Sequence, residues 1–501
     1  MRHVASRSLR AALAAAAVLA VAGCVPQPPS TTASGTASPT AAAAGSSATP
    51  SRTPGTSSAG GTGTKPAATS PAAAPPERLG ALQAGPFAAA APSPVLAGLA
   101  AGAPTPTGAG LAARLDGLLG ASGLGGRVGY VVADAATGQT LLARRETTPV
   151  TPASTTKLLT AVAALSVLGP YTRLTTSVVS APDGGAGTLV AGGDGLVASG
   201  RGDAAAVVGH ASLADLADDT AAALAAAGRT KVALHLDDTV FTGARVSPGW
   251  GPTDLRSGFV APVAPLAVES GRAVPGRAAR ASDPALAATN AFAGLLASRG
   301  VTVTGVSRAA APDGATPLAR VESAQVADVV EHMLDESDNT VAEVLARLVA
   351  ARTDRPATFD GAGEAVVAAV GALRVPTEGA RFSGGSGLAR GGVIAPRTLT
   401  ATLVLAASKE HPELRATLTG LPVAGVTGTL ADRYAGQDAA VGVVRAKTGT
   451  LTGASSLAGT VVDADGRLLV FAVVADRVAA TDAARTALDA VASALAGCGC
   501  R

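Results

Sequence analysis

Three short stretches carry the residue types that acyl chemistry needs. The first is Thr151-Pro-Ala-Ser-Thr-Thr-Lys157, which opens an apolar run over 158–168. Leu158, Leu159, Val162 and Leu165 recur at helical spacing, Gly169-Pro170 ends the pattern, and Pro152 suits a first helical turn. Ser154 and Lys157 are three apart, so they share one face near the start of that helix. An amine that is desolvated and close to the partly positive end of a helix is disfavoured as ammonium, and can act as a base near neutral pH. A base beside a hydroxyl is what a serine nucleophile requires. Taken alone, Ser-x-x-Lys also describes an N-capping serine with a solvated lysine, and short motifs often match by chance.

The second stretch is Ser337-Asp338-Asn339, in the break between helical patterns at 325–334 and 340–352. Val329, Val330, Leu334, Val341 and Leu345 on either side would hold such a loop rigidly. The plain alternative is a helix cap at Ser337 or Asp338. The third is Lys447-Thr448-Gly449-Thr450, at the end of a strand expected over 443–448. A cation and a hydroxyl on a strand edge can hold a carboxylate, and Gly449 admits close backbone approach. A surface strand with a solvated lysine is the alternative here.

The elements that must position these stretches follow from patterning. Leu111, Leu115, Leu118 and Leu119 predict a first helix, and a hairpin over 127–144 turns at 134–138. Short strands and turns fill 172–200. A serine-capped helix at 212–227, a strand at 231–236, a helix opening at Ser282-Asp-Pro-Ala and a strand at 301–304 predict a mixed α/β segment. Beyond the second motif, helices are expected at 361–373 and 396–407. A hairpin over 455–476 and a last helix at 481–495 complete the chain. Strands at both ends with helices between imply one sheet formed from the two termini.

Length and composition bound the remainder. The 501 residues exceed what one core usually serves. Aromatics are only 2% against 48% hydrophobic, so the core is built of Ala, Val and Leu. A net charge of +3, with no basic block interleaved with aromatics, gives no argument for nucleic acid as a partner. His3, His210, His235, His332 and His411 are scattered, which leaves no metal site in view, weakens any Ser-His-Asp triad and favours Lys157 as base. No cofactor motif is present. Cys498-Gly-Cys500 is either two thiols or a local bridge, and no cysteine lies in the middle of the chain.

Residues 1–24 read as an export signal: Arg2, Arg7 and Arg10, then an apolar run too short to span a bilayer comfortably. It ends in Leu19-Ala-Val-Ala-Gly23-Cys24, which resembles the lipobox of bacterial lipoproteins. That resemblance implies lipidation at Cys24 and a membrane anchor; an ordinary cleaved signal is the alternative, and both place the protein outside the cytoplasm. Residues 25–107 are Pro, Ser, Thr, Ala and Gly with almost no charge and cannot order themselves by apolar burial. As a flexible tether they would span roughly 50 Å on average.

The three motifs stand in the order helix start, inter-helix loop, strand edge, a triple shared by penicillin-binding proteins and class A β-lactamases. With them the chain resembles the penicillin-recognising serine DD-peptidases, and more closely the D-alanyl-D-alanine carboxypeptidase/endopeptidase family, the class C low-molecular-mass penicillin-binding proteins. Asp237-Asp-Thr-Val-Phe241, Pro248-Gly-Trp250, Ala261-Pro-Val-Ala-Pro-Leu266 and Gly385-Ser-Gly-Leu-Ala-Arg390 also resemble stretches of that family. Gly384 and Ala389 depart from it, standing where Asp and Ser are usual.

The resemblance implies an α/β (α+β) fold. Its serine peptidase domain, an antiparallel sheet flanked by helices, would take 108–180 and 318–501, and an α/β domain at 181–317 would be inserted between the first two motifs. It also implies Ser154 as nucleophile, Lys157 as base, Ser337 as proton relay, and Asn339 holding the substrate amide. Lys447 and Thr448 would bind the terminal carboxylate beside Gly449, and the N–H groups of Ser154 and Thr450 would form the oxyanion hole. Asp237, Phe241, Arg390 and Thr452 would line a pocket for the stem-peptide side chain. Peptidoglycan stem peptides and β-lactams are the expected partners. A β-lactamase or esterase on the same scaffold, or a catalytically weak peptidoglycan-binding lipoprotein, are the alternatives.

Overall fold

The computed structural model describes residues 102–501. The expected export signal, Cys24 and all but the last residues of the expected linker lie outside that range. Ordered contacts begin before Gly108. Ala103 is buried and its carbonyl accepts from Arg467 Nη1 at 3.1 Å, while Thr107 donates to the Cys500 carbonyl at 2.8 Å and caps helix α1 (Gly108–Leu119). Cys498 and Cys500 are bridged by a disulfide.

Strands β1 (Arg127–Asp134) and β2 (Thr140–Arg144) follow, with Asp134 accepting the amides of Ala136 and Thr137 in the turn between them. Next comes α2 (Lys157–Leu168), in which all but Ser166 and Val167 are buried. A helix apolar on every side belongs in the centre of a domain, not on its surface.

The inserted segment then supplies β3 (Arg173–Ser180), β4 (Ala186–Ala191), β5 (Asp194–Val197), α3 (Leu213–Ala226), β6 (Lys231–Asp237), β7 (Leu266–Val268), α4 (Pro284–Ser298), β8 (Thr302–Arg308) and β9 (Thr316–Gln325). The chain returns through α5 (Val326–Asp335), α6 (Asn339–Arg352), α7 (Phe359–Ala372), α8 (Pro396–Ala407) and the short α9 (Ala416–Thr419). It closes with β10 (Arg445–Leu451), β11 (Ala454–Val462), β12 (Leu468–Asp476) and α10 (Thr481–Ala496).

The two ends of the chain build one antiparallel sheet in the order β10-β11-β12-β1-β2, as strands at both termini imply. Along β12 the side chains alternate between two cores. Leu469, Phe471 and Val473 face α1 and α10, while Val470, Ala472 and Val474 face the helical layer around α2. Each Leu, Val or Phe buried in this way contributes about 1.5–3 kcal/mol. The third motif therefore lies on β10, at the sheet edge, and the first on the chain entering the central helix.

The insertion has its own five-stranded sheet, β8-β6-β4-β3-β9, with β4, β6 and β8 parallel and α3 and α4 as their connections. Strands β3 and β9 pair from Arg173–Gln325 to Ser180–Thr316. The pairing of β3 with β4 and β9 carries this sheet back to Arg173 and on to Gln325, while the expected limits at 181 and 317 fall just after β3 and within β9.

Candidate active site

Ser154 is not on the helix itself. It lies on a 3-10 turn, Ala153–Thr156, and Lys157 is the first α-helical residue. Ala153 has a left-handed backbone (φ 50), and the hydroxyls of Thr155 and Thr156 bond back to the carbonyls of Pro152 (2.7 Å) and Ala153 (2.8 Å), so the α-helix does not extend further back. Residues three apart eclipse on a 3-10 turn. Lys157 Nζ accordingly stands 3.0 Å from Ser154 Oγ.

The same nitrogen donates to Asn339 Oδ1 at 2.6 Å and to the Ser386 carbonyl at 2.9 Å, and Lys157 is fully buried. Three acceptors surround Nζ: an ammonium donates to all three, and an uncharged amine keeps its bonds to the two carbonyl-type oxygens and turns its lone pair to the Ser154 hydroxyl. Burial pulls the Lys157 pKa down to about 7, although the charges of Glu343 and Asp338 act in the opposite direction.

The second motif closes over this pair. Asp338 caps α6 through the Val341 N–H (3.0 Å) and accepts from Ser270 Oγ of the insertion at 2.5 Å. Burial would raise its pKa, but hydrogen bonds from His332, Ser270 and Val341 more than offset that and hold it at about 2. Asn339 opens α6, bonding Lys157 through Oδ1 and the Phe259 carbonyl through Nδ2 (2.9 Å). Ser337, two residues earlier, has φ 55, a left-handed turn that breaks the path from α5 into α6. The cap expected at 337 or 338 is Asp338, and the motif also reaches the catalytic pair.

The third motif meets the first edge-on. Lys447 is fully buried and donates to the Thr448 carbonyl at 3.0 Å; burial first, and then the neighbouring Lys157, hold its pKa well below the usual lysine range. Thr448 Oγ1 lies 3.0 Å from Thr429 Oγ1. Gly449 is opposite Ser456, whose hydroxyl donates to the Pro152 carbonyl at 2.6 Å and so ties the nucleophile turn to the sheet. Thr450 is half-buried on the same strand, and Thr452 is exposed in the turn between β10 and β11.

The residues expected to line a side-chain pocket separate into two groups. Asp237 accepts from Thr239 and the Ala311 amide within the insertion, and Phe241 faces Arg347 of α6 at 5.6 Å, joining the insertion to the helical layer. Exposed Arg390 instead lies 3.9 Å from Asp254, which a sequence reading missed. Also missed were Phe259, exposed beside Asn339, and Glu343, buried one helical turn beyond it. The i, i+4 spacing of Asn339 and Glu343 was a legible signal, since it puts both on one face. Among the described residues no group of three His, Cys, Asp or Glu could hold a metal ion.

A central helix entered by a nucleophile–lysine turn, an asparagine loop above it and a lysine-bearing sheet edge define a serine acyl hydrolase of the penicillin-binding class. The model of the D-Ala-D-Ala carboxypeptidase 3 (S13) family matches residues 111–279 and 272–497. A carboxypeptidase of Mycobacterium tuberculosis is 37% identical over 383 residues, 75% of this chain and 81% of the relative; the carboxypeptidase DacB of Mycolicibacterium smegmatis is 38% identical over 376 residues, 74% and 80%. In fold, the chain matches penicillin-binding protein 4 of Haemophilus influenzae with a TM-score of 0.61 at 23% identity, covering 77% of this chain and 97% of that one. The chain belongs to the S13 family of D-Ala-D-Ala carboxypeptidases.

Proposed function

We propose that the protein cleaves the terminal D-alanyl-D-alanine bond of peptidoglycan stem peptides through an acyl-enzyme on Ser154, and that β-lactams acylate the same hydroxyl. The observation that carries this reading is the fully buried Lys157 amine 3.0 Å from Ser154 Oγ, held by two neutral acceptors. Lys157 takes the hydroxyl proton as Oγ adds to the carbonyl carbon. The C–N bond then breaks, D-alanine leaves with a proton passed through Ser337, and water hydrolyses the ester. Asn339 orients Lys157 and the substrate amide. Lys447 and Thr448 hold the terminal carboxylate. Amides of Ser154 and Thr450 receive the oxyanion, each such donor being worth about 3–4 kcal/mol. Among the described residues the outer edge of β10 pairs only at Arg445, with Val423, and an extended peptide can add to it by backbone hydrogen bonds. Arg390, 3.9 Å from Asp254, and Thr452 would line the pocket for the stem-peptide side chain. Lipidation at Cys24 would place this domain on a tether outside the membrane.

The test is incubation of the purified protein with a D-Ala-D-Ala pentapeptide. Release of free D-alanine, blocked by prior exposure to penicillin that remains bound, is the expected result. Rapid penicillin turnover without D-alanine release would overturn it in favour of a β-lactamase; splitting of cross-linked muropeptides would add endopeptidase action. The pH profile gives a second prediction. Lys157 must be uncharged to act as base, so kcat/KM should fall about tenfold per unit as pH drops below about 7. A flat profile from pH 5 to 8 would remove Lys157 from that role.

A further inference from the structure

Glu343 is a fully buried carboxylate on α6 that the mechanism above leaves unused. It accepts the amides of Gly385 (3.0 Å) and Ser386 (3.2 Å) and the Ser386 hydroxyl. That hydroxyl in turn accepts the Leu388 amide at 3.1 Å, so its own proton is directed at Glu343. Three donors converging on two oxygens call for an acceptor-only group, the carboxylate. Burial raises the Glu343 pKa, and these three bonds together with the charge of Arg347 offset only part of the rise. The clamped turn is also the one whose Ser386 carbonyl receives Lys157 Nζ.

Gly384 explains how the carboxylate comes to be there. Its φ is 78, and a Cβ at that position would overlap the Glu343 carboxyl group, its Cδ 2.7 Å away. With no side chain at Gly384, the carboxylate from the facing helix occupies that position.

We propose that Glu343 is a positioning residue for the acyl transfer: clamped on the Gly385–Ser386 turn, it aims the Ser386 carbonyl at Lys157 Nζ and supplies the counter-charge for the ammonium that Lys157 becomes. The inference rests on the Ser154 acyl-enzyme reading. In the step itself the Ser154 proton passes to Lys157 as Oγ bonds to the carbonyl carbon, and Glu343 neither gives nor takes a proton. The charged groups acting on Lys157 are Glu343 and Asp338 from α6 and its cap, opposed by Lys447 from β10; His332 of α5 touches Asp338, and the 153–156 turn and 384–388 loop carry none.

The experiment is the second-order rate of acylation by a fluorescent penicillin from pH 5.5 to 9, with folding followed by thermal melting. Glu343→Gln keeps the size, removes the charge and turns one acceptor into a donor. Its acid limb should move down by about one pH unit and its plateau rate fall about tenfold, since an opposite charge shifts a neighbouring pKa by that order. A slower plateau with an unmoved limb would reduce Glu343 to a structural group and overturn the proposal. Glu343→Asp keeps the charge, so its limb should stay in place while its rate falls; a limb displaced as in the glutamine variant also overturns it, even if the glutamine variant fails to fold. Absence of any adduct on the wild-type protein would instead sink the acyl-enzyme reading on which both rest.

Discussion

Lys157→Met is expected to lower penicillin acylation by about 10³-fold while leaving the protein folded, within the range for loss of a general base. Methionine matches the length of the buried stem but cannot take the Ser154 proton. Ser154→Ala is the limiting case and should leave no adduct at all. The stability of the methionine variant separates a lost base from a lost fold. Burial holds the Lys157 pKa at about 7 against 10.5 in an exposed lysine. Below pH 7 both folded and unfolded chains carry the proton, and the folded state bears a penalty on the order of 5 kcal/mol. Between pH 7 and 10.5 the unfolded chain binds more protons than the folded one, so wild-type stability rises with pH. The variant lacks this term but leaves Asn339 Oδ1 and the Ser386 carbonyl without a donor, at about 1–3 kcal/mol each. The melting temperature of the variant relative to wild type should therefore decline steadily from pH 6.5 to 10. A constant difference would mean that Lys157 is not the desolvated amine described here.

The parts of this machinery that were legible in the sequence are those set by local rules. Helix starts at Ser212 and Ser282-Asp-Pro-Ala were readable because a cap satisfies orphan N–H groups within three residues, and the structure puts caps at Ser212 and Asp283; the helix expected from residue 325 on pattern alone begins at Val326, with Gln325 as its cap. The hairpin over 455–476 was readable from its polar turn at 463–466, and its second strand is apolar at successive positions because two cores face it. Strand β9 was not. Its Thr316-Pro-Leu-Ala-Arg-Val-Glu-Ser sequence is polar at alternate and adjacent positions, lies at a sheet edge, and is half-exposed over most of its length. Only pairing with Arg173–Ser180, far away in sequence, makes it a strand, and that shift in pairing moves the limits of the insertion. The buried Glu343 escaped for a related reason. Its i, i+4 spacing from Asn339 places it on the same helix face, but its role is set by the 384–388 turn, which brings three donors to it. Asp237 and Phe241 show the converse, since a motif resemblance carried their positions but not the contacts that hold them. The aspartate is used by a turn in the insertion, and the phenylalanine by the Arg347 guanidinium, which bonds the Thr242 and Ala244 carbonyls at 3.1 and 2.6 Å.

Gly449→Ala is expected to cost at least about 10²-fold in acylation, comparable to a 1 Å displacement of reacting groups. The reason is local. A Cβ on Gly449 would overlap Ser456 Oγ and stand 2.6 Å from the Pro152 carbonyl and 3.2 Å from Ala153 Cβ. Ser456 and Pro152 are the two partners of the hydrogen bond that holds the nucleophile turn to the sheet, and Thr155 Oγ1 lies a further 3.3 Å from Ser456 Oγ. The added methyl must therefore part β10 from the turn, carrying Ser154 away from the Thr450 amide and the Lys447–Thr448 edge together. Overpacking of this kind also lowers stability by about 1–3 kcal/mol. Gly453→Ala is the matched comparison. Its φ is 82, so alanine there is strained by about 1–2 kcal/mol, but nothing lies within 4 Å of the added Cβ. It should melt lower and acylate at the wild-type rate. If both variants acylate normally, the contact between the nucleophile turn and the strand edge does not set the geometry of the reaction, and the substrate would have to be held by some other surface.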